Sequence, residues 1–481
     1  MTRSAAMAVL ALVAVLAAGC ASGEGAPPTT TTVAPGGDAA GVLPANPHLG
    51  PAGTSTMHPD GGSSDATALA GPGTRPVEAA IAALGAVRPA VVVGGDRRPV
   101  ALCTRVADLR PVVHLLDPAT GASAASLELA IGGLFGGVYG YLDDQDRLVM
   151  VEGDTDLVRV GHRREGAGWA LAVDERTSLA GAVRDGDTVT SVAPDHDGGV
   201  WFATEGGVVG VVDAGDGSVE TARLQPGERV ANSISTAPAG TAVASDHAVY
   251  LFGRGEDGRP EVRWRRAYDL GPARKPGQLS WGTGSTPTFF GPTDGTDYVA
   301  VVDNADPEVH LVVLATGGSD AGEEVCAPVV LGEGGPGSEN SPIGRGRTVV
   351  VTSTYGYEYP RLPEGAGPSV PASAPFEGGM TRVDVAADGS GCEVVWDAPV
   401  RSAAVPRLST ADGTITTLTR PGDAARYAYA VIDADTGVLL TEQDLGPDVA
   451  DPLQLAGTIG PDRVLWQGTV GAVERIAPAA G

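Results

Sequence analysis

An all-β fold follows from three features of this 481-residue sequence. From about residue 90 onward, short β-branched runs alternate with Gly, Asp, Asn and Pro turns, and no amphipathic helix of any length interrupts them. A hairpin element, D-x-x-T/D-G, recurs in "VVHLLDPATGASAASLEL", "VVGVVDAGDGSVETARL" and "AYAVIDADTGVLLTEQDL". In each, Asp caps the bend with its carboxylate and Gly supplies the positive φ between two strands. Third, strand-rich units repeat at about 35 to 60 residues, the size of a four-stranded propeller blade with its loops.

Candidate units fall near 90–131, 140–183, 190–224, 232–270, 285–331, 340–399, 404–447 and 454–478. The last is short, so an N-terminal strand is expected to complete it and close the ring. Closure removes exposed sheet edges. The expectation is a β-propeller of seven or eight four-stranded blades over residues 51–481, with a two-sandwich arrangement as its competitor. Within it, "STPTFFG" leads an innermost strand, and Phe289 and Phe290 pack between blades.

The N-terminus is of another kind. After Arg3 the run "AAMAVLALVAVLAAG" is long enough to enter a secretion channel but short for a span of about 20 residues. Residues 1–19 read as a signal peptide. The run ends in "LAAGC", which resembles a bacterial lipobox, and the resemblance makes Cys20 the lipidated first residue of the mature chain. Acyl burial at roughly 0.8 kcal/mol per methylene anchors such a protein without a spanning helix. Residues 20–50, rich in Pro, Thr, Gly and Ala, read as a disordered tether. The expected location is the outer face of a bacterial cell membrane.

The formal net charge of −27 disfavours nucleic acid as a partner and keeps the chain soluble, and a monomer is expected. Lys275 is the single lysine, which leaves little room for lysine-based covalent chemistry. Three cysteines remain beyond Cys20. In an oxidising compartment they give one disulfide and one spare thiol. Cys326 and Cys392 each lie near the end of one of two successive repeats, so they are the expected pair, with Cys103 a buried strand residue.

Across most of its length the chain resembles the PQQ-like, or quinoprotein-dehydrogenase-like, propellers. The resemblance rests on "TPTFFG…YVAVVDNADP", "ENSPIG…VTSTYGY" and "GGMTRVDV…GC-VVW", and it points to a group of secreted bacterial propellers with no assigned activity. One stretch, "APDHDGGVWFATEGGVVGVVD", is similar to a blade of the NHL and streptogramin-lyase-like propellers. PQQ enzymes repeat a tryptophan shortly after "D-x-x-T-G", whereas "ASAASLEL" and "VLLTEQDL" have none, which argues against quinone redox chemistry here.

Two sets of polar residues could form an axial site. Asp303, Asn304 and Asp306 follow an apolar strand, and Glu339 and Asn340 precede a unit. Together they supply oxygens of the kind that Ca²⁺ takes in sixes to eights. Asx turns account for the same residues without a ligand. His58, Asp60, Ser63, Ser64 and Asp65 lie in "MHPDGGSSDATALAGPG", a segment suited to crossing a tunnel mouth, and Trp281 with Tyr355, Tyr357 and Tyr359, which alternate in "STYGYEYP", could add an aromatic wall. No G-x-S-x-G, H-E-x-x-H or phosphate loop occurs. The leading functional expectation is a lipid-anchored propeller that binds a small molecule, glycan or protein on its axial face without catalysis. The alternatives are a Ca²⁺-dependent lactonase- or esterase-like hydrolase or lyase, and a cell-envelope scaffold.

Overall fold

The strands of one repeat show how the fold is layered. In Val189–Pro194, Val200–Thr204 and Val208–Val212 every residue is buried, whereas Val219–Arg223 is half exposed. Three strands covered on both faces and a fourth that is wet require a sheet packed on either side and solvent at one edge. That is the radial order of a propeller blade, with its first strand at the axis and its fourth at the rim. The computed structural model describes residues 41–480 apart from 106–107, 109, 133–138, 333–334, 364, 423–425 and 448. In it eight such sheets form the ring: blade 1 spans 86–128, blade 2 141–178, blade 3 189–223, blade 4 235–267, blade 5 288–326, blade 6 343–398, blade 7 407–444 and blade 8 458–478.

Blade 8 takes only three strands from the C-terminal end of the chain. Its fourth is Val77–Ala83, which runs antiparallel to Ala472–Pro478 with Val77 opposite Pro478 and Ala83 opposite Ala472. The N-terminal strand therefore closes the ring as expected, and the blade number is eight. All three D-x-x-T/D-G elements join third to fourth strands. Asp433 accepts from the Thr436 N–H at 2.8 Å and its hydroxyl at 2.7 Å, while Gly437 takes φ 70°. Asp117 likewise accepts from the Thr120 N–H and hydroxyl, both at 3.0 Å, and Asp213 accepts from the Gly215 N–H at 2.8 Å.

Apolar side chains alternate in direction along each strand, so every blade feeds two interblade cores. Phe289 packs against Val249 and Leu251 of blade 4, whereas its neighbour Phe290 packs against Val349 and Val351 of blade 6. Each buried ring contributes on the order of 1.5–3 kcal/mol. Cys326 and Cys392, both on fourth strands, form a disulfide with Cα atoms 5.9 Å apart, which ties blade 5 to blade 6 at the rim. Cys103 is a free, buried thiol, and burial pushes its pKa up, away from the reactive thiolate.

The start of the described chain does not hang free. Leu43 packs on the core between blades 4 and 5, and the Asn46 amide donates to Pro194 O of blade 3 at 2.9 Å. The propeller body thus begins by residue 41, earlier than the boundary at 51 expected from composition. Residues 1–40, with the expected signal peptide and Cys20, lie outside the described residues. Among those described, no helix is long and apolar enough to cross a membrane.

Candidate functional site

Because each blade is an antiparallel meander, its first strand runs from the end of the axis where the chain crosses between blades to the end where it turns into the second strand. These are the crossover end and the turn end. The chain from 46 to 67 fills the turn end. Beyond Asn46, it offers Thr54 O to Val93 N at 2.9 Å, Ser55 O to Leu142 N at 2.7 Å and Gly61 O to Thr236 N at 2.6 Å, on blades 1, 2 and 4. It continues with Gly62 O to Phe289 N at 2.8 Å, Ser64 O to Gly344 N at 2.9 Å and Asp65 O to Leu408 N at 3.0 Å, on blades 5, 6 and 7. Ala66 and Thr67 then run parallel to Leu408 and Ser409. This internal plug satisfies the axial edges of first strands that would otherwise face a channel.

The plug carries its own buried charges. Arg407, 1 % exposed on the first strand of blade 7, pairs with fully buried Asp65, and it donates to Gly457 O at 2.6 Å and to Met57 O. His58 Nδ1 lies 2.9 Å from Asp65 Oδ1 and 3.2 Å from Ser341 Oγ, and the Ser341 hydroxyl donates to Asp65. Burial, then the Arg407 charge, lowers the His58 pKa to about 3, so its imidazole is neutral. Burial raises the Asp60 pKa, against donation from the Ser64 hydroxyl and N–H at 2.5 and 3.1 Å.

At the crossover end the described residues leave space on the axis. A partly open cavity of about 80 Å³ has Met57 and His58 of the plug as its floor. Its walls are Asn232 on the crossover into blade 4, Leu279 into blade 5, Glu339 and Asn340 into blade 6, Val405 into blade 7, and Gln454 and Leu455 into blade 8, with Tyr359 from a loop of blade 6. Asn340 donates to Thr352 Oγ1 at 3.1 Å and to Gln454 Oε1 at 3.0 Å, and Gln454 donates to Ser402 O at 2.8 Å. Leu453 and Gln454 both sit in left-handed backbone, φ 56° and 55°, a conformation costing of order 1–3 kcal/mol each in non-glycine residues. Gln454 N–H to Ala403 O at 2.9 Å holds that bend, which turns the amide toward Asn340. Glu339 keeps some accessible surface because it walls the cavity, yet protein surrounds it. Burial pushes its carboxyl up to about 8, against donation from Leu279 N–H at 3.0 Å and the more distant Arg274 charge.

The expected residues divide accordingly. His58, Asp60 and Asp65 are brought together on the axis, and Glu339 and Asn340 reach the cavity. Asp303 does not join them: its carboxylate accepts from the His310 backbone N–H at 2.7 Å and lies 2.8 Å from His310 Nδ1. The Asn304 amide donates to Leu270 O and Ala273 O at 2.8 and 2.9 Å, which clamps the crossover into blade 5, and Asp306 is exposed. Among the described residues no three His, Cys, Asp or Glu side chains gather as metal ligands. The proposed Ca²⁺ cluster is thus replaced by turn and clamp chemistry, because its two halves lie on different loops with their own partners. The aromatic wall is corrected too. Trp281 is 44 % exposed and donates to Leu270 O at 3.0 Å, Tyr357 is core beside Phe376 and Tyr427 with its hydroxyl on Asp451, and Tyr355 packs over Gly335. Of that run only Tyr359 lines the cavity.

Asn232, Gln454, Ser341 and Arg407 were not singled out from sequence. A positional signal existed: Asn232 and Asn340 each stand three residues before a first strand, at Ser235 and Ile343, and Gln454 stands four before Thr458. Aligning the starts of the repeats, in place of searching for motifs, exposes these polar positions.

Chemically, Ser341, His58 and Asp65 do not form a hydrolytic triad. Ser341 and Asp65 both address Nδ1, so the imidazole cannot take a proton from one partner while held by the other through its second nitrogen. Nor does the axis fit a quinone cofactor. The plug occupies one end, and 80 Å³ at the other falls below the roughly 300 Å³ from which cofactor-sized pockets begin.

No protein-family model matches the chain. An uncharacterized protein of Archaeoglobus fulgidus is 26 % identical over 325 residues, which is 62 % of this chain and 62 % of that protein. The chain therefore spans less than two thirds of the curated relative it matches. Among solved structures, the quinohemoprotein alcohol dehydrogenase of Comamonas testosteroni superposes with a TM-score of 0.53 at 12 % identity, covering 89 % of this chain and 82 % of that one. A europium-containing methanol dehydrogenase gives 0.51 at 13 %, covering 88 % and 98 %. In fold, the chain is an eight-bladed β-propeller like those of the quinoprotein dehydrogenases.

Proposed function

We propose that this protein is a binding propeller that holds a small polar molecule in the axial cavity at its crossover end, anchored through Cys20 on the outer face of a cell membrane. The observation that carries the reading is convergence: chain crossovers into blades 4, 5, 6, 7 and 8 all place side chains on one cavity whose floor is the chain's own plug. Ring scaffolds concentrate recognition where loops from many blades meet, and among the described residues no nucleophile, base and oxyanion donors are arranged there for turnover. The lipobox-like "LAAGC" and the disulfide between Cys326 and Cys392 support an oxidising, extracytoplasmic setting. At about 80 Å³ the cavity admits several waters or one small headgroup, so a larger glycan would insert only an end.

The test is a thermal-shift screen of small polar metabolites on wild type and on Leu455→Trp, which fills the cavity. Ligands of this site raise the wild-type Tm and leave the filled variant unmoved. Hits that shift both proteins equally place binding elsewhere and overturn the reading.

A further inference from the structure

Resting on that reading, we infer that the axial cavity is built for a protonated amine, with Glu339 as the carboxylate that receives it and amide oxygens around it. The first argument is the direction of the donors. Both N–H bonds of the Asn340 amide are spent on Thr352 and Gln454, the Gln454 amide gives one to Ser402 O, and that of Asn232 gives one to Thr283 O at 3.3 Å. Gln454 Oε1 already accepts one of those N–H groups, and Gln454 and Asn232 keep one N–H each, but the Asn340 and Asn232 oxygens and the second lone pair of Gln454 outnumber them, and a surplus of oxygens calls for a donor-rich ligand.

The second argument is the missing counter-charge. Glu339 takes one backbone N–H, from Leu279, and among the described residues it forms no ion pair. Arg274, the nearest cation by effect, spends its guanidinium on Gln278 O at 2.6 Å and on Gly367 O at 3.0 and 3.2 Å. Lys275 is tied to Ala305 O and to Pro336 O at 2.7 Å. On the floor, His58 stays neutral above about pH 3, and Tyr139 and Tyr359 complete the titratable wall. A carboxyl in that position is held protonated by burial, and a guest ammonium restores its charge. An amine is the smallest ligand that offers three donors and a positive charge within such a space.

Linkage makes the idea measurable. The empty site holds a proton up to about pH 8. Binding a cation discharges that proton to solvent, so the apparent affinity climbs about tenfold per pH unit below 8 and flattens above it. Methylamine hydrochloride is titrated calorimetrically into the full-length protein at pH 6.5, 7.5 and 8.5 in two buffers of different ionisation enthalpy, with methanol as the neutral control of similar shape. The expected result is saturable methylamine binding with about one proton released at pH 6.5 and less than half at pH 8.5, and no binding of methanol. In Glu339→Gln, with its fold checked by circular dichroism, affinity at pH 8.5 falls about tenfold or more and the proton release disappears.

Methylamine binding without proton release overturns the role of Glu339 even if the variant fails to fold. Saturable methanol or glycerol binding that Leu455→Trp abolishes overturns the amine class but leaves the axial site standing. Methylamine binding that survives Leu455→Trp overturns both readings. No binding of any probe overturns the amine class alone, the site itself being judged by the metabolite screen.

Discussion

The two ends of the propeller axis start from the same ring of first strands and reach opposite solutions. At the turn end, a length of the chain itself is laid around the ring, its carbonyls spent strand by strand and its charges locked in the Asp65, Arg407 and His58 network. At the crossover end, loops from five blades bring equally polar groups to the axis but leave space among them. The difference is solvent. Beside Thr56, His58 and Asp60 the turn end leaves only about 30 Å³, against about 80 Å³ at the crossover end; the less room there is for water, the more polar groups need protein partners. The plug is thus the tighter end, and the larger cavity is the end at which binding is proposed.

The largest effect should come from breaking the plug. Asp65→Ala leaves the Arg407 guanidinium buried without its counter-charge and removes the acceptor of Ser341 and a partner of His58. Removing one member of a buried pair costs about 3–5 kcal/mol, and the variant should show that loss by urea unfolding. A loss below 1 kcal/mol would mean that water reaches the turn end and would dissolve the contrast between the two ends.

The ends should also differ in the sign of their pH response. For His58 the ordinary value of 6.5 falls to about 3 in the fold. The unfolded chain thus binds a proton that the native one refuses, and stability is lost as pH drops from 6.5 towards 3. For Glu339 the ordinary 4.5 rises to about 8. The native state keeps a proton that the unfolded chain has released, so stability is lost as pH rises from 4.5 to 8. Each slope approaches about 1.4 kcal/mol per pH unit at its steepest. Urea midpoints should show His58→Gln removing part of the acid sensitivity and Glu339→Gln removing part of the alkaline sensitivity. Between pH 6.5 and 8 only the second variant should depart from the wild-type slope.

Much of the fold was legible because it rests on local signals. Strand and turn alternation, the Asp and Gly of three hairpins and the shortness of the last unit led to the blades, their closure by an N-terminal strand and the Cys326–Cys392 pairing. Of the site, the sequence made one segment conspicuous: "MHPDGGSSDATALAGPG" stood out as polar chain, and it supplies His58 to the cavity floor, but its Ala66 and Thr67 join the sheet of blade 7. The rest depended on depth. Asp303 and Glu339 look alike in sequence, an acid next to an Asn beside an apolar strand, but one is consumed by its own hairpin through His310 while the other stands on a crossover pointing inward. Whether a loop belongs to the axial end of a first strand or to the outer turn of a later one is settled by the ring, not by residue type.

The smallest expected effect is the most discriminating. Asn340→Ala deletes an amide that gives two hydrogen bonds, to Thr352 and Gln454, and by count of bonds it resembles the loss of Asp65. Its cost should nevertheless be only about 1 kcal/mol, because Gln454 lines the cavity and the space the amide vacates opens onto it, so that a water can reach Gln454 and, beside it, Thr352 in place of the lost N–H groups. The variant should therefore unfold close to wild type while its metabolite hits in the thermal-shift screen weaken, since the water that rescues the fold occupies the space of the ligand. A loss of 3 kcal/mol or more would show the crossover end to be as dry as the plug, and the cavity would then be a packing gap with no role in binding.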